Sequence, residues 1–273
     1  MNVVGLDFGT TQVKMTLLKD KVIFGAKALP RTLFTAEDTE SIVNEFLGEC
    51  EVSAADVDTF ALTGVGSKDI GDILLGVRTV KFDEFAALTK GSLMLSGMKQ
   101  ALIVSVGTGS AFVMAESEDK FYHIGGSGVG GGTLMGLAKA FLNADTPEEF
   151  SELLKGGSLS KVDLTIGDIS GGSISMLSKD VTSANFGKVA PDATPSDFAL
   201  GLYNMVCQTV GMLAVFALRG SDVKDVLLCG QTVSFPRAEE LFELFHTMFD
   251  KKFHILDNCA YAGSIGAALL AEK

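Results

Sequence analysis

Alternating and continuous apolar runs predict that the chain begins with three strands and continues with helices and further strands. The first three runs cover residues 3–8, 13–18 and 22–26, and turn residues separate them, which is typical of an antiparallel meander. Apolar residues at helical spacing between 42 and 47 then predict the first helix. The same criteria predict strands at 59–63 and 79–82 and helices at 68–75 and 84–95.

The order of strand, glycine turn, strand, turn and strand starts again near residue 100. Its second copy has apolar runs at 101–106, 111–115 and 121–124, followed by a glycine run and a helix over 133–142. This restart predicts two related α/β lobes, residues 1–97 and 98–273, around a central cleft, and the final helix is able to pack back on the first lobe. Residues 156–192, which are rich in glycine and serine, are the least regular part of the pattern.

Start signals mark two later helices. Thr146 and Thr194 are each followed by proline and, three residues on, by an acidic residue, which is the arrangement of a threonine N-cap with proline at the first helical position. They predict helices that begin near 147 and 195, the second running to about residue 218. The rest of the chain is predicted as strands at 226–229 and 253–256 and helices at 235–249 and 260–270.

The composition is that of a globular protein with a large core and an acidic surface. Hydrophobic residues make up 47% of the 273 residues, and the formal net charge is −12, which argues against a nucleic-acid or anionic-membrane partner. The apolar stretch at 205–218 contains Gln208 and Gly211 and is expected to be a buried helix. Scattered cysteines, and a first apolar run broken by Asp7, lead us to expect reduced thiols, no signal peptide and a cytoplasmic protein.

The first of three glycine-rich turns carries the charged residues of a candidate phosphate site. It reads Gly5-Leu6-Asp7-Phe8-Gly9-Thr10-Thr11, and Lys14 follows. The carboxylate of Asp7 at the end of a strand can hold Mg²⁺ directly or through water, whereas Gly9, Thr10 and Thr11 offer N–H and hydroxyl donors to a phosphate. Lys14 adds a positive charge on the same side. An ordinary turn with polar residues explains this motif equally well.

Two further glycine turns follow in the second half. Gly107-Thr108-Gly109 matches neither a P-loop nor a dinucleotide-binding fingerprint, and taken alone it is better explained as a tight hairpin. The run from Gly125 to Thr133 has six glycines in nine residues and leads into a helix. Such a start is receptive to an anion, and a plain loop does not need so many glycines. We therefore interpret this run as a phosphate site.

Glu84 stands where a strand is predicted to end and a helix to begin. It can act as the general base that takes a proton from a substrate hydroxyl. The alternative is a carboxylate that is merely favoured by the dipole at the helix start. His246 and His254 have no partners at metal-ligand spacing, so they are expected to be structural.

These motifs resemble the actin-like ATPase and sugar-kinase superfamily, and more closely the type II pantothenate kinases, over nearly the whole chain. The fold that this implies is α/β, with two ribonuclease H-like lobes around a nucleotide cleft. The first turn, the segment Phe82-Asp83-Glu84-Phe85 and the two later glycine turns carry the resemblance. Thr182-Ser183-Ala184-Asn185-Phe186-Gly187, the turn at Gly230 and the helix start near Gly263 extend it.

The resemblance implies a homodimeric kinase that uses ATP and Mg²⁺ to phosphorylate the terminal primary hydroxyl of pantothenate, the first step of coenzyme A biosynthesis. Glu84 is then the base, Asp7 helps to place Mg²⁺ and Lys14 stabilises phosphate charge. The long helix that starts at Pro195 suits the dimer interface. The residues implied in nucleotide binding are Asp7, Gly9, Thr10, Thr11, Lys14, Gly107, Thr108, Gly109, Gly128, Gly130, Gly131, Gly132, Thr133 and Gly230.

The acceptor positions depart from the family pattern. The resemblance places the acceptor near Ala111, His123 and Gly126, where relatives commonly hold a carboxylate with serine and arginine. Because Ala111 offers no donor, pantetheine, which is uncharged at that end, remains an alternative acceptor. Two further alternatives are a kinase for another small molecule, such as an N-acetylhexosamine, and a nucleotide-binding regulator without catalysis.

Overall fold

The computed structural model describes residues 1–35, 37–173 and 178–272, which form two compact α/β units. The first contains Met1–Ile103, Val113–Ile124 and the chain from Leu256 onward, and the second contains Val104–Phe112 and Gly125–Ile255. These bounds differ from the lobes 1–97 and 98–273 expected from the sequence, and that division stays a prediction.

The first unit is built on a six-stranded sheet. Its strands are β1 (Asn2–Phe8), β2 (Gln12–Lys19), β3 (Val22–Pro30), β4 (Thr59–Thr63), β5 (Ile73–Leu74) and β6 (Val77–Lys81). They lie in the order β3-β2-β1-β4-β6-β5, with antiparallel pairs among β1, β2 and β3 and parallel pairs from β1 to β4 to β6. The helices are α1 (Thr39–Glu49), α2 (Glu84–Ser96) and the C-terminal α8 (Ala262–Ala271).

Helices cover both faces of this sheet. On one face Val43, Phe46 and Leu47 of α1 pack against Leu6 and Phe8 and their neighbours. On the other face Ala87 of α2 and Ile265, Ala267 and Ala268 of α8 pack against Val3. Because side chains alternate between the faces of a strand, Gly5 and Asp7 lie on the same face as Val3, toward α8.

Glycines bring α2, α8 and β1 into backbone contact. A Cβ atom placed at Gly5 would lie 1.8 Å from the carbonyl oxygen of Ser264, and one at Gly266 would lie 1.7 Å from that of Ala87. A Cβ at Gly91 would lie 1.9 Å from the carbonyl oxygen of Ala262. The position of both helices against the end of β1 therefore depends on glycine at these places.

The second unit surrounds a long central helix. The elements of the middle of the chain are β7 (Ala101–Val106), β8 (Ser110–Ala115), β9 (Phe121–Ser127), α3 (Gly131–Leu142), α4 (Pro147–Leu154), β10 (Leu164–Thr165), α5 (Ile166–Ser170), β11 (Thr182–Ala184), α6 (Pro195–Ala217), β12 (Asp225–Cys229), α7 (Ala238–Phe249) and β13 (Lys252–Ile255). The main sheet has the order β13-β12-β7-β8-β9, and the division between the units passes through β7, β8 and β9. Helix α6 packs against α3, α4 and α7.

The predicted start signals of α4 and α6 are confirmed. Thr146 and Thr194 each accept a hydrogen bond from the backbone N–H three residues on, and each completes a reciprocal capping box. Among the described residues, α6 is the one helix long and apolar enough to cross a membrane by length and composition, and 61% of its most apolar window is buried in the protein. All four cysteines are buried.

The predicted helix at 68–75 is wrong. The chain there forms a short 3-10 turn, Val65–Asp69, and then strand β5, which pairs with β6 through Ile73 and Arg78. The two residues between the strands, Leu75 and Gly76, both have positive φ angles, as tight hairpin turns require. A short apolar run fits helix and strand equally well, and the turn after it makes this one a strand.

Elsewhere the predicted helices and strands are present, with shifted ends. Strand β9 continues through Gly125 and Gly126, so the glycine run begins as strand, and α7 begins at Ala238 rather than at residue 235. The irregular segment 156–192 contains α5, β10 and β11. Residues 174–177 of that segment lie outside the described residues.

Candidate active site

Asp7 and Lys14 face each other across two neighbouring strands of the first unit. Asp7 on β1 is paired with Lys14 on the antiparallel β2, and with Thr63 on the parallel β4. Residues directly opposite in an antiparallel pair share a face of the sheet. The carboxylate and the ammonium group predicted as one site are thus brought together by the register of the first hairpin.

Two glycines make room for the Asp7 carboxylate. A Cβ at Gly64 would lie 2.7 Å from its Oδ1 atom, and a Cβ at Gly263 would lie 2.6 Å from its Oδ2 atom. Gly64 follows β4 and has a φ of +82°, whereas Gly263 lies in the first turn of α8. Gly64 is not among the predicted site residues, because its contact with Asp7 depends on the parallel pairing of β1 and β4.

The electrostatic environment of Asp7 opposes its ionisation. Burial raises the pKa of the Asp7 carboxyl group above its usual range, and the charge of Lys14 opposes this shift. A carboxylate at this position fits a metal ligand, because Mg²⁺ prefers oxygen ligands and keeps several waters.

Glu84 is the first residue of α2. Asp83 caps the helix by accepting a hydrogen bond from the backbone N–H of Ala86 at 2.9 Å. Partial burial is the largest cause that raises the pKa of Glu84, followed by the negative charges of Asp7 and Asp83, while Lys14 lowers it. Glu84 therefore lies within electrostatic range of Asp7 and Lys14, and these three residues are called the charged cluster.

The ring of His123 stacks on Phe85, the residue next to Glu84. The two ring centroids are 4.5 Å apart and the planes are inclined by 12°. His123 lies on β9, and Gly126 lies three residues farther along the same strand, beside Ala111 on β8. His123 and the segment Phe82-Asp83-Glu84-Phe85 are both predicted from the sequence, but their contact is not, since nothing local indicates which ring Phe85 meets.

Three glycine turns of the second unit meet at the start of α3. The backbone N–H of Gly131 donates to the carbonyl oxygen of Gly107 at 2.7 Å, and that of Gly132 donates to Thr108 at 2.8 Å. A Cβ at Gly131 would lie 2.4 Å from Oγ1 of Thr232. The turns predicted around 107–109, 125–133 and 230 are therefore adjacent in this unit.

This arrangement changes what the glycines do. The sequence predicts that this run receives an anion, but the N–H groups of Gly131 and Gly132 donate to the preceding turn instead. A Cβ at Gly130 would lie 2.5 Å from the carbonyl oxygen of Gly109. The hydroxyl of Thr133 donates to Gly128 at 2.8 Å. These glycines provide close backbone packing, and their contact with a nucleotide stays a prediction.

Tyr203, which has no signal of a functional role in the sequence, supports these turns. The buried hydroxyl of Tyr203 on α6 donates to the carbonyl oxygen of Thr232 at 2.9 Å, which fixes the turn after Gly230. Gly230 itself has a φ of +97°, and a Cβ there would lie 2.4 Å from the carbonyl oxygen of Val106. The Ser110 hydroxyl, directly after the Gly107–Gly109 turn, is buried with no partner among the described residues.

The predicted site residues Gly9, Thr10 and Thr11 lie at the turn between β1 and β2. Thr10 and Thr11 are exposed between β1 and β2, and the carbonyl oxygen of Thr11 accepts a hydrogen bond from the N–H of Arg31 at 2.8 Å. A Cβ at Gly9 would lie 2.9 Å from the carbonyl oxygen of Gln12. Within the described residues, no group of three or more histidine, cysteine or acidic side chains could hold a metal ion.

Solved structures define the class to which this fold belongs. The activator of 2-hydroxyisocaproyl-CoA dehydratase from Clostridium difficile, with bound ADPNP, aligns with a TM-score of 0.71 at 17% identity over 99% of this chain and 94% of that one. The ROK hexokinase from Thermus thermophilus aligns with a TM-score of 0.57 at 16% identity over the whole of both chains. The fold is that of the actin-like ATPases and sugar kinases, as the sequence predicted.

A family model narrows the class. The model described as Fumble matches residues 100–269, and the chain belongs to this family. The type II pantothenate kinase of Bacillus cereus strain G9842 is 28% identical over 99% of this chain and 98% of its own length. The type II pantothenate kinase of Oceanobacillus iheyensis is 28% identical over 77% of this chain and 81% of its own length. The resemblance found in the sequence is confirmed.

Proposed function

We propose that this chain is a pantothenate kinase, which transfers the terminal phosphoryl group of ATP to the terminal primary hydroxyl of pantothenate in the first step of coenzyme A biosynthesis. The observation that carries the proposal is the charged cluster of Asp7, Lys14 and Glu84 in the first unit. The names of the full-length relatives support it.

Glu84 is the proposed base. As the acceptor oxygen forms its bond to the γ-phosphorus of ATP, the bond from that phosphorus to the bridging oxygen breaks and ADP leaves, while Glu84 accepts the hydroxyl proton. A raised pKa suits this role, because a carboxylate that holds a proton more tightly is a stronger base near neutral pH.

Asp7 and Lys14 are proposed to hold the polyphosphate end of ATP. When bound, Mg²⁺ neutralises charge on the phosphates, and Asp7 is the residue that would hold it, directly or through water. The ammonium group of Lys14 lies opposite Asp7 and contributes positive charge there. Gly9, Thr10 and Thr11 are proposed phosphate contacts of the same unit.

In the second unit the nucleotide contacts are proposed around Gly107, Thr108 and Gly109, with the start of α3 and Gly230 behind them. Because the N–H groups of Gly131 and Gly132 are engaged with Gly107 and Thr108, the run from Gly128 to Thr133 acts by shaping this turn. In this proposal the phosphate binds to the turn formed by Gly107, Thr108 and Gly109.

The acceptor is proposed to lie near Ala111, His123 and Gly126. A histidine lacks the two parallel N–H donors with which an arginine holds a carboxylate. This favours a second candidate of the same class, a kinase that takes pantetheine, which has no carboxylate at that end.

We also propose that the enzyme is a homodimer and works in the cytoplasm, where ATP is supplied. Leu213 and Phe216 on α6 are exposed, the latter to 59%, and suit an apolar interface between copies. Gel filtration with light scattering gives the mass in solution, and a monomer at all concentrations contradicts the dimer.

The test is an acceptor screen with ATP and Mg²⁺ that follows ADP release and product mass. Wild-type protein should phosphorylate pantothenate, and Glu84→Gln should lose about 10²- to 10⁴-fold in kcat while it still binds nucleotide. Glu116→Gln, an exposed carboxylate in the turn after β8, is the matched control and should keep full activity. A large preference for pantetheine makes the second candidate correct, and nucleotide binding without turnover of any acceptor contradicts both.

A further inference from the structure

We propose that Phe85 and His123 form a stacked pair that positions Glu84, so that His123 acts on the reaction through Phe85 as well as through any acceptor contact. This inference rests on the proposed function of Glu84 as the base. Phe85 and His123 are positioning residues in this proposal.

The stack lies at the first turn of α2, which carries Glu84. Glu84 is the first residue of α2. The first turn of a helix has no hydrogen bonds from preceding turns to hold it. In α2 the N–H groups of Ala86 and Ala87 donate to Asp83, to its carboxylate at 2.9 Å and to its carbonyl oxygen at 3.0 Å. The stack of Phe85 on His123 is a further contact of this turn.

The geometry of the pair makes it a restraint. The centroid distance of 4.5 Å and the interplanar angle of 12° describe two rings in face-to-face contact. Aromatic side chains rotate about few bonds, so a stacked ring fixes the direction of its own backbone more than a flexible side chain does. Because Phe85 and Glu84 are consecutive, fixing Phe85 restricts where the Glu84 carboxylate can point.

A second contact ties the same helix to the same hairpin. Lys90, one and a half turns after Glu84, forms an ion pair with Glu118 in the turn between β8 and β9, and its side chain is only 16% exposed. The turn is itself closed by hydrogen bonds from the N–H groups of Glu116 and Ser117 to the carbonyl oxygen of Lys120. Helix α2 therefore contacts the β8–β9 hairpin at two places, through Phe85 near its start and through Lys90 farther along.

The chain continues from this hairpin into the predicted phosphate turns. Strand β8 begins at Ser110, directly after Gly109, and β9 ends at Ser127, directly before Gly128. The pair therefore links the proposed base, through continuous strands, to the segments proposed to meet the nucleotide. A loss of the stack should disturb the base without changing any charge in the cluster.

Two substitutions separate the ring from its nitrogen atoms. His123→Phe keeps an aromatic ring for the stack and removes hydrogen bonding, whereas His123→Ala removes both. Tyr122→Ala is the matched control, because Tyr122 is the neighbouring exposed ring on β9 and points to the opposite face. We expect kcat to fall about three- to ten-fold in His123→Ala, because loss of one aromatic pair lowers the population of the correctly oriented Glu84 carboxylate by about that factor. Tyr122→Ala should keep the wild-type kcat, and the kcat of His123→Phe should be higher than that of His123→Ala.

The value of KM distinguishes the two roles of His123. A rise in KM shared by His123→Ala and His123→Phe reports acceptor contact and belongs to the proposed function. The difference in kcat between these variants reports positioning. Equal kcat in both variants, whether both are normal or both are reduced, overturns the proposal.

Hydrogen exchange tests the stack without any acceptor. The amides of Ala86 and Ala87 should exchange faster in His123→Ala than in wild type, and at the wild-type rate in His123→Phe and Tyr122→Ala. Unchanged exchange in His123→Ala overturns the proposal. If wild-type protein phosphorylates no acceptor, the proposed function fails, and the exchange rates still decide whether the stack holds the first turn of α2.

Discussion

The contact between α2 and α8 leads to a prediction about Gly266→Ala. A Cβ there would lie 1.7 Å from the carbonyl oxygen of Ala87 and 2.7 Å from the backbone nitrogen of Gly91. Both atoms belong to the backbone of α2, so no side-chain rotation relieves the overlap. The helices would have to separate by more than an ångström. Overpacking of a dense core typically costs about 1–3 kcal/mol and sometimes more, and we expect a loss of about 3 kcal/mol or more here.

Gly48→Ala is the matched control for this substitution. Gly48 is also a helical glycine, in α1, but it is exposed and a Cβ there would meet nothing within 4 Å. Alanine is favoured over glycine inside a helix by about 1 kcal/mol, so this variant should be more stable than wild type. The two substitutions have the same chemistry and should have effects of opposite sign.

Urea unfolding followed by circular dichroism measures both variants. We expect a lower midpoint for Gly266→Ala and a slightly higher one for Gly48→Ala, with similar slopes. Failure of Gly266→Ala to accumulate as folded protein agrees with the same reasoning. A Gly266→Ala protein that unfolds at the wild-type midpoint would refute the backbone contact of the two helices.

Three further predictions concern buried or coupled carboxylates. Because the pKa of Asp7 is raised, the folded protein holds this proton more tightly than the unfolded chain, and the free energy of unfolding falls as pH rises through the shifted pKa. Asp7→Asn should therefore raise the urea midpoint at neutral pH while it abolishes phosphoryl transfer, and a lower midpoint would contradict this. Glu84 works only when deprotonated, so kcat/KM should rise with pH through a pKa above the ordinary glutamate range. An inflection of kcat/KM at the ordinary pKa of glutamate would contradict the raised pKa of Glu84. Asp163 is fully buried and accepts hydrogen bonds from the Phe186 N–H at 2.9 Å and from Asn204 at 2.7 Å. Asp163→Ala should lower the free energy of unfolding by about 3 kcal/mol or more, because these donors lose their partner. An unchanged free energy of unfolding in urea would refute this prediction.

Most of the fold could be predicted from short-range patterns in the sequence. The meander of β1 to β3 was predictable because the apolar alternation and the turns between the runs are both short-range signals. The facing of Asp7 and Lys14 follows from the same hairpin, since its register fixes which residues are opposite. The N-caps Thr146 and Thr194 were predictable for the same reason, because a capping box involves residues only three positions apart.

Contacts between distant segments were not predictable from a single sequence. Gly5 and Gly266 look like ordinary glycines until α8 is placed on β1 and α2. Phe85 and His123 are far apart in the chain, and their stack exists only because the β8–β9 hairpin packs against α2. The N–H groups of Gly131 and Gly132 seemed free because the turn that uses them lies more than twenty residues earlier.

The most direct test of the proposed chemistry is the product formed from pantothenate, ATP and Mg²⁺. Phosphorus NMR of the reaction should show one new phosphomonoester, coupled to the methylene protons of the terminal alcohol carbon, with wild-type protein and not with Glu84→Gln. Release of ADP and inorganic phosphate without that ester, or equal ester formation by Glu84→Gln, would contradict the assignment of Glu84 as the base of a pantothenate kinase.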